Sequence, residues 1–145
     1  MRPWQRLITI TIGVGLAGIC VLSASPQEAQ HFYNVDREVD ITGTVHEVIM
    51  EPRYQDKAAF LTVVLEEKKT GRRYTVEISP AWFFEQDLHQ GESLRITGSL
   101  VAEGKVNLVM ARQVRMRGEM MAVRDKHGFP NWRGGRGQQK KRWKR

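Results

Sequence analysis

Three observations predict an all-β fold. Period-two alternation begins at Glu38, a hairpin rich in β-branched residues spans 59–78, and two further alternating runs follow a single break with helix signals. In the first run Val39, Ile41, Gly43 and Val45 share one face, while Glu38, Asp40, Thr42 and Thr44 share the other. The apolar parity then shifts to Val48 and Met50, which predicts a bulge near His46-Glu47. Gly43 inside this strand predicts a sharp bend between two sheets. Residues 50–58 read as a loop around Pro52. The second strand is predicted over Ala59–Glu67, the turn at Lys68–Gly71, and the third strand over Arg72–Ile78, where Tyr74, Val76 and Ile78 alternate.

The alternation breaks at Ser79–Leu88. Ser79 is placed to cap a helix, Pro80 fits a first helical position, and Trp82, Phe83 and Phe84 are available for burial against the sheet end. Gly91 ends this region. A fourth strand is expected over Ser93–Val101, a turn at Ala102–Lys105, a fifth strand over Val106–Val114, and a sixth over Met120–Arg124, ended by Asp125–Gly128. Three strands, a short helix and two more strands make the order of a five-stranded OB-fold Greek-key barrel, here with an appended C-terminal strand. Closure also removes the free sheet edges that a body this short would otherwise expose.

The chain has 145 residues and a formal net charge of +7. That charge is unevenly placed. Arg124–Arg145 carries nine lysines and arginines against Asp125, whereas residues 26–123 carry twelve cations against fifteen acids. The body is therefore mildly acidic and the end strongly basic. Residues 1–25 place Arg2 and Arg6 before an apolar run, Leu7–Leu22, followed by Ser23-Ala24-Ser25. This is the order of an export signal. The alternative is an uncleaved inner-membrane anchor, although the run is slightly shorter than the roughly 18–20 residues that span comfortably. The organisation expected is a signal or anchor over 1–25, a polar lead-in over 26–35, an OB domain over 36–132 and a disordered basic tail over 133–145. The location expected is the periplasm or beyond. Cys20 is the single cysteine, so neither a disulfide framework nor a paired-cysteine zinc site is available.

Four segments carry a family resemblance: Ile41-Thr42-Gly43-Thr44-Val45, Ser79-Pro80-Ala81-Trp82-Phe83, Leu94-Arg95-Ile96-Thr97-Gly98-Ser99, and Arg124–Trp132. With them the chain resembles small exported bacterial OB-fold proteins of the BOF (YgiW/YdeI-like) group, and is similar to a magnetosome-associated protein of the MamS type. The resemblance implies an exported OB barrel without a known catalytic centre. It supplies no ligand.

The residues point to binding rather than catalysis. There is no Ser/His/Asp set on suitable elements and no phosphate loop followed by Lys-Ser/Thr. No enzyme activity and no cofactor are expected. His31, His46, His89 and His127 are isolated in sequence and lack the spacing of a metal motif. Met110, Met116 and Met120 are candidates for a soft ion such as Cu(I), against the alternative that methionine fills core gaps. Phe60 and Tyr74 are candidate stacking aromatics for single-stranded nucleic acid, but the acidic body disfavours that reading. The tail residues Arg133, Arg136, Lys140, Lys141, Arg142, Trp143, Lys144 and Arg145 combine cations with an interfacial aromatic and suit an anionic surface or partner. Phe129 and Trp132 are expected either to fold back onto the barrel or to dock a partner. The function expected is a non-enzymatic periplasmic accessory or binding protein whose tail contacts an anionic envelope component, a membrane surface or another protein. The alternatives are a copper-handling module and a single-strand nucleic-acid binder.

Overall fold

Six strands follow one another from Glu38 to Ala122: β1 Glu38–Pro52, β2 Ala59–Glu67, β3 Arg73–Pro80, β4 Ser93–Ala102, β5 Leu108–Met116 and β6 Glu119–Ala122. A two-residue β7, Trp143–Lys144, pairs with β6. The structure, a computed structural model, describes residues 32–54 and 58–133 and the backbone of 143–144. The segment expected to direct export, and most of the basic tail, lie outside the described residues.

The first five strands close into a ring. β1 pairs antiparallel with β2 and β4, β2 with β3, and β4 with β5. A short parallel ladder, Thr75–Glu77 against Leu108–Met110, joins β3 to β5 and completes the circle. This closed mixed barrel has the OB ring order, and β6 lies outside it. β5 shares one of its edges between two neighbours. Its first half closes the ring against β3, and its second half, Gln113–Met116, carries β6.

β1 can serve two sheets because of Gly43. This residue is opposed by Leu94 on β4 and by Glu67 on β2. A Cβ there would stand 2.3 Å from the Glu66 carbonyl oxygen, so no side chain fits at the bend. The predicted bulge lies between Val45 and Glu47, where the register to β2 shifts. Beyond it β1 continues to Pro52, further than the sequence reading placed it. Period-two alternation then builds the core. Ile41 and Val45, Leu61, Val63 and Leu65, Val76 and Ile78, Leu94 and Ile96, and Val109 and Val114 all point inward. Each such burial stabilises by about 1.5–3 kcal/mol.

The helix expected between the third and fourth strands is absent. Ser79 and Pro80 are the last residues of β3, opposite Leu61 and Phe60, so neither is free to start a helix. The Ser79 hydroxyl donates to the Pro80 carbonyl, 3.2 Å away. Two successive tight turns follow, Phe83 N–H to Pro80 O (3.0 Å) and Phe84 N–H to Ala81 O (3.3 Å). Burial of Phe83 and Phe84 in the core outweighs a helix too short to offset its own nucleation. Trp82, expected inside with them, is exposed and meets Phe83 edge-on. The fifth strand begins at Leu108 rather than Val106, which is exposed. β6 begins at Glu119, and the Val123 and Arg124 N–H groups both bond the Arg112 carbonyl beyond its end.

Candidate functional site

OB barrels take oligomeric ligands on the outer face of the second and third strands. Here that face is covered by the chain itself. Thr62 and Glu77 oppose one another across β2 and β3, and both are fully buried although they point away from the core. Pro52 ends the β1 ladder, and the chain turns over the face. Arg53 Nη1 lies 2.5 Å from Glu77 Oε1, and the Tyr54 hydroxyl donates to Glu77 Oε2. Tyr54 adopts a left-handed φ of 56°, a conformation that costs about 1–2 kcal/mol and is held by this contact. Burial, and then the adjacent carboxylate, push the Tyr54 hydroxyl well above its ordinary value, so it stays a donor.

Arg124 enters from the other side, after β6. Its Nη1 donates to the carbonyls of Ile78, at 3.2 Å, and Ala111. Those carbonyls are adjacent to the last paired residues of the β3–β5 ladder, Glu77 and Met110, where the two strands part. The guanidinium therefore bridges the seam where the ring opens. Burial pushes Arg124 down to about 10, with the Glu77 charge opposing that shift, and the side chain remains cationic at neutral pH. Trp132 covers it, with the guanidinium carbon 4.9 Å from the ring centroid. The same indole meets Phe60 and Phe83 edge-on at 6.0 and 5.9 Å, and Phe60 meets Tyr54 at 5.7 Å. The result is a seal of alternating charge and aromatic rings over the face that a ligand would otherwise occupy.

A second cluster ties down the two ends of the domain. Tyr33 and Arg112 both donate to Glu38, with Arg112 Nε at 2.6 Å and Nη2 at 3.1 Å. The Arg112 fork, more than the Tyr33 hydroxyl, holds the Glu38 carboxyl below its usual range. Gly128 packs on the Tyr33 ring so closely that a Cβ would lie 2.4 Å from it. The turn before Gly128 is an Asx turn in which the Asp125 carboxylate accepts from the N–H groups of His127 and Phe129.

The opposite face, over β1, β4, β5 and β6, is open. Its cross-strand row runs Thr42, Arg95, Arg115, Met120, and Lys144 continues it in register. The adjacent row contains Asp40, Thr97 and Gln113. Asp40, Arg95, Thr97, Gln113, Arg115 and Met120 line a depression of about 240 Å³. Arg95 Nη2 lies 3.3 Å from Asp40 Oδ2, and the Thr97 hydroxyl donates to Asp40 Oδ1. The Thr97 hydrogen bond, and then Arg95, hold the Asp40 carboxyl below its ordinary value.

The residues singled out from the sequence fall in different places. Met116 and Met121 are core residues, whereas Met120 opposes the exposed Arg115 and faces the depression. Met110 stands six positions before Met116 on β5, about 20 Å at strand spacing. The three candidate thioethers therefore do not converge. Phe60 is buried in the seal and Tyr74 packs against the core, so neither offers an open stacking face. Trp132 folds back onto the barrel, while Phe129 is 68% exposed beside it. Arg133 closes a last turn of 3-10 helix, Asn131–Arg133, and is exposed. Trp143 and Lys144 are described as backbone paired to Met121 and Met120. Arg136, Lys140, Lys141, Arg142 and Arg145 lie outside the described residues. Sequence reasoning missed Glu77, Arg53 and Arg124 as one cluster. Glu77 sits at outward parity in β3, where a solvated carboxylate is the ordinary expectation, and its partners come from segments with no periodic signal.

A family model described as the MamS/MamX magnetosome protein family matches residues 37–121. The match covers β1 to β5 and β6 up to Met121, and ends before Arg124 and Trp132. No curated protein and no solved structure matches the chain.

Proposed function

Because the chain belongs to the MamS/MamX magnetosome protein family, we propose that it serves as a non-enzymatic, exported accessory protein whose barrel presents a basic tail to an anionic surface or partner. One observation carries the reading. The face on which an OB barrel would take a ligand is filled by Arg53, Tyr54, Arg124 and Trp132, whereas the excess positive charge lies beyond that seal. Trp132, held against Phe60 and Phe83, roots the tail on the barrel. The eight residues Arg133, Arg136, Lys140, Lys141, Arg142, Trp143, Lys144 and Arg145 form the contact. Each cation close to an anionic bilayer contributes about 1 kcal/mol. Sedimentation of the full chain with phosphatidylglycerol and phosphatidylcholine vesicles tests this. Binding to the anionic vesicles alone, weakened by salt, is expected. Replacing Lys140, Lys141, Arg142, Lys144 and Arg145 by glutamine is expected to abolish it. Unchanged binding by that variant would overturn the role of the tail.

A further inference from the structure

We propose that the open face of β4 and β5 holds a site for a phosphate-class oxyanion, built from Arg95, Arg115 and Gln113. The site is on the barrel and does not depend on the tail. Arg95 and Arg115 are register partners on neighbouring antiparallel strands. Directly opposed side chains have Cβ atoms about 4.5–5.5 Å apart, and like charges in that position repel. Among the described residues, Arg95 has a counter-charge, Asp40, and Arg115 has none. Arg115 has no hydrogen bond or ion pair among the described residues, and neither does the Gln113 amide, two residues before it on the same face. Two arginine forks and an amide donor thus converge on one depression with a single carboxylate between them.

Asp40 does not compete for Arg115. One of its oxygens accepts from Thr97 and the other faces Arg95. It faces the Arg95 fork alone, so the depression keeps one net positive charge. An oxyanion seated there would relieve the arginine repulsion and accept the unengaged donors. Guanidinium forks match phosphate bidentately, which favours a phosphate group over chloride. The depression, about 240 Å³, has room for such a group with several waters at about 30 Å³ each. The phosphate could belong to a free phosphate or to a lipid headgroup, and both present the same chemistry.

The test uses the full chain at constant ionic strength. Inorganic phosphate is titrated against chloride while backbone amide NMR shifts are followed. Saturable shifts at residues 95–97 and 113–115 are expected, with at least tenfold weaker binding in Arg115→Gln and an intermediate loss in Arg115→Lys. Arg115 is exposed and repelled by Arg95, so a thermal midpoint no lower than that of wild type is expected to confirm that both variants fold. Non-saturating shifts, or equal binding by wild type and Arg115→Gln, would overturn the site. A second arm compares vesicles containing phosphatidic acid with vesicles of phosphatidylglycerol. A preference for the phosphomonoester that Arg115→Gln loses identifies a headgroup source. Equal vesicle binding by both chains, together with the tenfold loss toward free phosphate, identifies a soluble source.

Discussion

Glu77 shows how one residue can have two opposed surroundings. Its backbone belongs to the barrel wall, and its carboxylate lies on the outside yet has no solvent exposure. Removing one partner from such a buried network leaves charge or polar groups uncompensated, at a cost of about 3–5 kcal/mol. Arg124→Ala is expected to lose stability in that range, read by urea unfolding, because the Ile78 and Ala111 carbonyls lose their shared donor. A loss below about 1 kcal/mol, the scale of an exposed pair, would mean that the seam does not need it. Glu38 gives a pH signature of the opposite kind of site, a half-buried pair. Arg112 lowers its folded pKa below the ordinary 4.5, so the unfolded chain binds the proton more readily. The stabilisation is present above about pH 4.5 and fades as pH falls through the folded value. Wild type is expected to exceed Arg112→Met by about 1 kcal/mol at neutral pH, with the gap closing in acid. A gap that persists at pH 2 would assign the effect to packing of the arginine stem instead.

At the scale of elements, local pattern and tertiary demand agree in most places and part company at the segment after β3. The bend in β1 is readable because glycine in a strand has few other uses, and the close approach to Glu66 O supplies the reason. Gly43→Ala is expected to cost at least about 2 kcal/mol, the scale of overpacking and backbone strain, with a lowered urea midpoint as the readout. The β5–β6 hairpin turns on Arg117 and Gly118, whose φ values are 51° and 80°. Two positive values are what a two-residue type I′ turn requires. Gly118→Val is expected to destabilise by about 1 kcal/mol or more, since a β-branched residue does not tolerate that φ. The helix that Ser79 and Pro80 suggest loses to strand pairing, because β2 offers partners that a twelve-residue connection cannot match. Sequence periodicity within one segment does not contain that competition.

For the whole molecule, closure of the ring decides what is left over. Once β3 and β5 meet, one half of the β5 edge remains for β6, and the outer edge of β6 takes the backbone of β7. Truncation after Arg133 removes only that last pairing from the described fold. It is expected to change stability by less than about 1 kcal/mol and to remove the vesicle binding assigned to the tail. A larger loss would show that the tail is part of the fold as well as a contact. The division of charge operates at the same scale. A mildly acidic body and a basic end do not repel one another. Trp132, packed on Phe60 and Phe83, fixes the chain to the barrel just before that end begins.

Sequence alone determined the strand order, the bulge at Val45–Glu47, the bend at Gly43, the closed OB class and the basic character of the end. All of these follow from short-range alternation, glycine placement and charge counts, which are local properties. Tertiary structure decided the missing helix, the burial of Glu77 and Arg124, the separation of Met110 from Met116 and Met120, and the opposition of Arg95 to Arg115. Each depends on which segments meet across the barrel. Strand alternation assigns a residue to a face. Whether that face meets water, another strand or the chain's own loops is settled only when the ring closes.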